Sequence, residues 1–213
     1  MKIREITEKI EAFAPLAYQE SYDNAGLAVG DAEAEATGAL LTLDVTMEAL
    51  EEAIERKANL IVSHHPVIFS GLKRLTGATE TERIVMRALR EGIALYAAHT
   101  NLDNAQGGVS FRMGEMLGLR QIRVMIPLTQ NLVKIVIYTP ADYAEQVREA
   151  LTSAGGGHIG NYSGCTFSTR GTGTFRPEAG SRPFIGSEGE FCRVEEERIE
   201  TVIPRHRVNR TLE

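Results

Sequence analysis

Residues 38–69, GALLTLDVTMEALEEAIERKANLIVSHHPVIF, decide the fold. An apolar run, Ala39–Leu43, ends at Asp44 and predicts a short strand. Thr46 then stands as an N-cap, acidic residues crowd the next turns, and Arg56 and Lys57 close the segment, as a helix dipole prefers. Residues 46–58 therefore predict a helix. Leu60–Val62 is a second buried strand that runs into Ser63-His64-His65-Pro66. Strand, amphipathic helix and strand in succession make a parallel βαβ unit, because parallel strands need a crossover long enough to hold a helix.

The pattern continues outward. Downstream, 79–91 carries a helical stripe (Ile84, Val85, Ala88, Leu89), and GIALYAAHTNLD (92–103) is a strand ending in polar residues. Gly107-Gly108 breaks the chain before a helix over 109–118. Upstream, Ile3, Ile6, Ile10 and Phe13 mark a helix over 2–14 that Pro15 limits, and YDNAGLAVGD (22–31) is rich in turn formers with an apolar segment at 27–29. Apolar strands alternating with amphipathic helices predict an α/β fold: a three-layer α/β/α core with parallel βαβ units, its sheet covered on both faces.

After Pro127 the texture changes. LVKIVIYTP (132–140) alternates as a strand, 141–155 is a helix stopped by glycines, CTFSTRGTGTF (165–175) predicts an irregular hairpin, and CRVEEERIETVIP (192–204) alternates again. Strand–helix–strand–strand is the first part of a ferredoxin-like α+β unit, and RHRVNRTLE stands where its second helix belongs. The expected organisation is the α/β core over 1–127 and a partial ferredoxin-like insert, incomplete at its C-terminus, over 128–213.

Composition narrows the function classes. With 23 Lys plus Arg against 29 Asp plus Glu, the net charge is −6. An acidic chain lacks the basic face that displaces phosphate counterions, so nucleic acid is not an expected partner. No apolar run reaches the roughly 18–20 residues of a membrane span. The N-terminus, with its charges interleaved among apolar positions, is not a secretory signal. Cys165 and Cys192 read as reduced thiols of a cytoplasmic protein.

In a parallel α/β sheet, ligands bind at the carboxyl ends of the strands. Here those ends carry Asp44, then Ser63-His64-His65, then His99 through Asp103. Neighbouring side chains of a regular strand point to opposite faces. At a strand-to-loop junction, however, His64 and His65 can each hold a different metal ion, with Asp103 bridging. Imidazole plus carboxylate suits Zn, Fe, Mn, Co or Ni better than Mg or Ca, and two such ions can activate water for hydrolysis. Alone, His-His-Pro is more often a polar loop than a metal site; after a buried βαβ strand, with a second His/Asp cluster after the next strand, the two readings stand level. His99 fits either a hydrogen-bonded loop histidine or a group supporting the ligands. Asp44 reads as a helix-capping residue or a site residue, and Asp23 and Asn24 as turn formers or site residues. The glycines of 155–173 do not open a helix after a strand, so they read as turns rather than a phosphate cradle. His158 and Cys165 are too isolated to pair on a metal, and His206 reads as a solvated tail residue.

YDNAGLAVG, LTLDVT, IVSHHPVIF and AAHTNLD follow one another as they do in the GTP cyclohydrolase 1 type 2 homolog family, which the chain resembles over essentially its whole length. The later GHIGNYSGCTFSTRGTGTFRP resembles the insert of the family's long bacterial members. The resemblance implies a dinuclear divalent-metal site, two ions per complete site, in a homohexameric toroid. It implies His64 and His65 on separate ions and Asp103 as the metal-binding aspartate, beside which His99, on its own chemistry, can shuttle a proton. It also implies hydrolytic opening of the purine ring of GTP or a related nucleotide as a small-molecule substrate. A metal-binding scaffold or regulatory protein with a ligand-sensing insert is the alternative. Tyr22 stands where the family usually has tryptophan. The family completes its site with a later His and Glu that have no match here, so the chain resembles the N-terminal part of a long member. The expected ligand set is correspondingly incomplete.

Overall fold

A computed structural model describes residues 1–129 and 131–212. The chain divides into two compact units, Met1–Arg123 and Val124–Glu213.

The first unit runs α1 (Ile3–Phe13), β1 (Gly26–Val29), β2 (Ala39–Thr42), α2 (Met47–Glu55), β3 (Leu60–Ser63), α3 (Glu80–Glu91), β4 (Ala94–Ala97), α4 (Thr100–Asp103) and α5 (Val109–Met116). Local chemistry sets the helix starts. Thr46 and Thr79 each accept a hydrogen bond from the backbone N–H three residues on, which caps α2 and α3. Gly92, in the left-handed region, ends α3. The sheet order is β1-β4-β3-β2. β2, β3 and β4 are parallel, and β1 pairs antiparallel with β4 at the edge. The turn-rich stretch 22–31 thus holds a strand that local pattern does not reveal.

Alternation along the strands builds the layers. Ile61 and Leu95 join Leu50 and Ala53 of α2 and Ile84, Val85 and Ala88 of α3 in one core. Leu60, Ala94, Tyr96 and Ala98 face the other way, onto Ile3 with Ile6 and Ile10 of α1. Leu50, Leu60 and Ile61 are fully shielded, each worth about 1.5–3 kcal/mol relative to exposure. The expected α/β/α layering is present.

The second unit runs β5 (Leu132–Pro140), α6 (Ala144–Ser153), β6 (Thr166–Phe175), β7 (Cys192–Pro204) and the short α7 (Val208–Leu212). Its sheet order is β5-β7-β6, with β7 antiparallel to both neighbours. β5–α6–β6 is therefore a split βαβ with β7 in the gap, the opening of a ferredoxin-like unit. Ile135, Ile199 and Ile203 meet Leu151 of α6 in its core. One expectation is corrected: 165–175 is not a hairpin, because β6 runs unbroken along β7 from Thr166 to Phe175. Gly173 lies inside that strand, paired with Val194, and the Glu196 carboxylate lies across it, 1.8 Å from where a Cβ would stand. No helix among the described residues is long and apolar enough to cross a membrane.

A candidate metal centre at the sheet's carboxyl edge

Register brings the chemistry together. Thr42 pairs with Ser63, and Ser63 with Ala97, so β2, β3 and β4 end side by side. The ladder continues past the strands: His64 N donates to Thr42 O, His65 N to Leu43 O, and Ala98 N to Ser63 O. Two strands then turn over by the same device. The hydroxyl of the last strand residue donates to the carbonyl two residues on, Thr42 to Asp44 (2.9 Å) and Ser63 to His65 (2.8 Å).

His64, His65 and His99 converge there. One ring nitrogen of each lies within 4.8 Å of the other two, and their ring centroids are 5.0, 5.2 and 5.6 Å apart. Each ring uses Nδ1 in a hydrogen bond: His64 to the Ala98 carbonyl (2.8 Å), His65 to Asp44 Oδ1 (2.7 Å) and His99 to Asp23 Oδ1 (2.8 Å). A carbonyl or ionised carboxylate can only accept, so Nδ1 is the donor in all three rings. The lone pair is left on Nε2, the tautomer that metal-binding histidines adopt through such partners. This donor set fits a divalent transition metal: three imidazoles with free Nε2 atoms and one nearby carboxylate.

Asp103 supplies that carboxylate. The single turn of α4 closes as Leu102 N and Asp103 N donate to His99 O. It brings Asp103 Oδ1 to 3.8 Å from His64 Nε2, beyond hydrogen-bonding distance but close enough for one ion to touch both. The buried Asn101 fixes the turn, accepting from His99 N (2.9 Å) and donating to the Ala14 carbonyl (2.7 Å).

The two aspartate partners are built differently. The Asp23 side chain is fully shielded and also accepts from Asn24 N (2.6 Å), Thr100 N (3.1 Å) and the Thr100 hydroxyl. Burial pushes its carboxyl up, but the hydrogen bonds from His99, Thr100 and Asn24 together hold it below the usual range. Asp44, by contrast, is 57% exposed and its partner His65 46%. A cleft of about 210 Å³ opens beside this pair, bounded by Val67, Glu80 and Ile84.

The structure thus brings His64, His65, His99 and Asp103 to one place. It assigns Asp44 to His65 and leaves capping of α2 to Thr46. It assigns Asp23 to His99 and turns Asn24 to the Ile68 carbonyl. His158, Cys165 and His206 belong to the second unit.

A family model described as Duf34/NIF3 (NGG1p interacting factor 3) matches residues 1–170. The chain belongs to this family. It is 44% identical over 203 residues to a Bacillus subtilis protein named GTP cyclohydrolase 1 type 2 homolog, covering 95% of this chain and 54% of that one. It is 42% identical over 208 residues to a Halalkalibacterium halodurans protein of the same name, covering 97% and 56%. The chain therefore spans about half the length of the curated relatives it matches. Among solved structures, a Bacillus cereus protein related to NIF3 is similar at 41% identity and a TM-score of 0.81, with all of this chain and 56% of that one covered.

Proposed function

We propose that this NIF3-family chain carries the N-terminal share of a dinuclear, metal-dependent hydrolase site that acts on GTP or a related nucleotide. The observation that carries the reading is the convergence of three Nδ1-engaged histidines, Nε2 free, beside Asp103. His64 and His65 hold separate ions, and Asp103 serves as the metal-binding carboxylate. When bound, divalent metal supplies Lewis acidity and lowers the pKa of water. The chain's own groups do the rest. The Ala98 carbonyl and Asp44 set the planes of His64 and His65. Asp23 orients His99 with its Nε2 lone pair toward the cluster, where it supports the ligand set and can take a proton from the reacting water and return one to the opened ring. The purine ring as target comes from the names of the relatives. In the same reading the second unit is the family's inserted ferredoxin-like domain, the assembly is a homohexamer, and two free thiols fit a cytoplasmic setting.

The test is turnover. The Mn- or Zn-loaded chain is incubated with GTP, following formate release and purine absorbance. Formate above the metal-free control supports the reading. Its absence from a metal-replete protein overturns the hydrolase assignment.

A further inference from the structure

Two partly exposed aromatic rings stand at the rim of the histidine cluster. Phe69 is 52% exposed and Tyr22 is 64% exposed. Their centroids are 6.4 Å apart at 44°, and the Phe69 ring lies 6.4 Å from that of His99, nearly perpendicular to it. Scattered exposed apolar residues need no explanation, but these two are neither scattered nor loose. Tyr22 directly precedes Asp23, which is anchored on His99 and Thr100. Phe69 directly follows Ile68, whose carbonyl accepts from Asn24 Nδ2 at 2.6 Å. The two loops are thus tied to each other and to the cluster, while both rings face solvent.

We infer that Tyr22 and Phe69 form an aromatic wall that receives the face of a planar heteroaromatic ring and delivers it to His64, His65 and His99. Aromatic rings associate at centroid spacings of about 4.5–7 Å. Both rings of the tilted pair are at least half exposed, so each offers a π face to a flat ring at the rim of the cluster. The wall carries no charge and offers only the Tyr22 hydroxyl for directional recognition, so it selects for a π face and not for one base. The inference rests on the nucleotide reading of this site and adds the residues that hold the base.

The experiment uses the zinc-loaded full chain with guanosine, adenosine and ribose as probes. Dissociation constants come from equilibrium dialysis, and contacts from saturation transfer to the purine H8. Guanosine and adenosine should bind within a few-fold of each other, and ribose should not bind. Phe69→Leu, which keeps apolar bulk but removes the π face, and Tyr22→Ala should each weaken guanosine at least about five-fold, the lower end for one stacking contact. Phe69→Tyr should retain binding, and zinc content should be unchanged throughout. Guanosine binding equal in wild type and Phe69→Leu, or no guanosine binding at all, overturns the wall. Wall-dependent guanosine binding without formate release from GTP upholds the wall and defeats the hydrolase reading. Formate release undiminished in both ring variants does the reverse.

Discussion

Replacing Asp23 by asparagine should change the chemistry of His99 more than its position. The carboxylate accepts from His99 Nδ1 on one side and from the Thr100 N–H and hydroxyl on the other. An asparagine has one acceptor oxygen and one donor group. If its oxygen serves Thr100, its NH2 faces His99 Nδ1, which must then accept. The imidazole proton moves to Nε2, and the lone pair that pointed into the cluster is lost. Loss of such a partner typically costs 10–100-fold in metal affinity, and Asp23→Asn should fall toward the upper end because the site is shielded from water. Asp44→Asn should fall at or below the lower end, because that pair is about half exposed and solvent can replace the lost bond. Stability should separate the two further. Asp23→Ala strands two shielded Thr100 donors at about 1–3 kcal/mol each, roughly 2–6 kcal/mol in all, whereas Asp44→Ala should cost under about 1 kcal/mol. Zinc affinity is read by competition with a chromophoric chelator, the tautomer by imidazole nitrogen chemical shifts, and stability by denaturant titration. Should Asp23→Asn keep His99 in the Nδ1–H form with wild-type zinc affinity, Asp23 is only a structural residue and the tautomer reasoning fails.

Other substitutions probe the frame around the site. Leu50→Ala should cost about 2–5 kcal/mol in chemical denaturation, because Leu50 is fully shielded between α2 and the sheet. Zinc affinity should hold, since Leu50 packs among the apolar residues of the core. Gly108→Ala should lower both stability and zinc affinity: its Cβ would fall 1.9 Å from the Leu102 carbonyl, so the α4 turn that carries Asp103 must shift. Glu82 ties the 76–78 loop to α3, accepting from Thr76 N and Oγ1 (2.8 Å each) and Ala78 N (3.1 Å). These bonds, that from the Thr76 N–H foremost, hold its carboxyl below the usual range. A depressed folded pKa stabilises the fold fully above the unfolded value of about 4.3 and less as pH falls through the folded value. Glu82→Gln should therefore lower Tm at pH 7, and its gap from wild type should close below about pH 4. A gap that persists into acid would remove the carboxylate's charge from the explanation.

How much of this was readable in advance follows from the range of each interaction. The βαβ succession is local. Thr46 caps its own helix, and Leu60–Val62 is apolar whatever lies beside it, so strands, helices and layers were legible. β1 was not, because Gly26–Val29 is a strand only by virtue of its pairing with β4, some seventy residues on. β6 was misread for the opposite reason. Gly171 and Gly173 look like turn residues, yet both pair in the ladder with β7, and the carboxylate of Glu196, twenty-three residues after Gly173, lies across Gly173. A glycine's local signal cannot separate a bend from a crowded contact.

The same distinction divides the site. His64, His65, His99 and Asp103 announce themselves because polar residues crowd the ends of apolar strands. Their partners do not, since Asp44 lies 21 residues before His65 and Asp23 76 before His99. Near a cap or a turn, each aspartate has a sufficient local explanation. What discriminates is parallel register. Once Thr42, Ser63 and Ala97 are aligned, the residues just beyond each must share one edge, and a carboxylate beside an imidazole there has an electrostatic reason to meet it. Register could have been inferred for β2 and β3 from their matched lengths and short crossover, which would have paired Asp44 with the double histidine. Asp23 offered no such route. It enters from the antiparallel edge strand's own loop, so its role emerges only when β1 is placed. The most shielded charge in the centre is thus the one that sequence pattern was least able to assign.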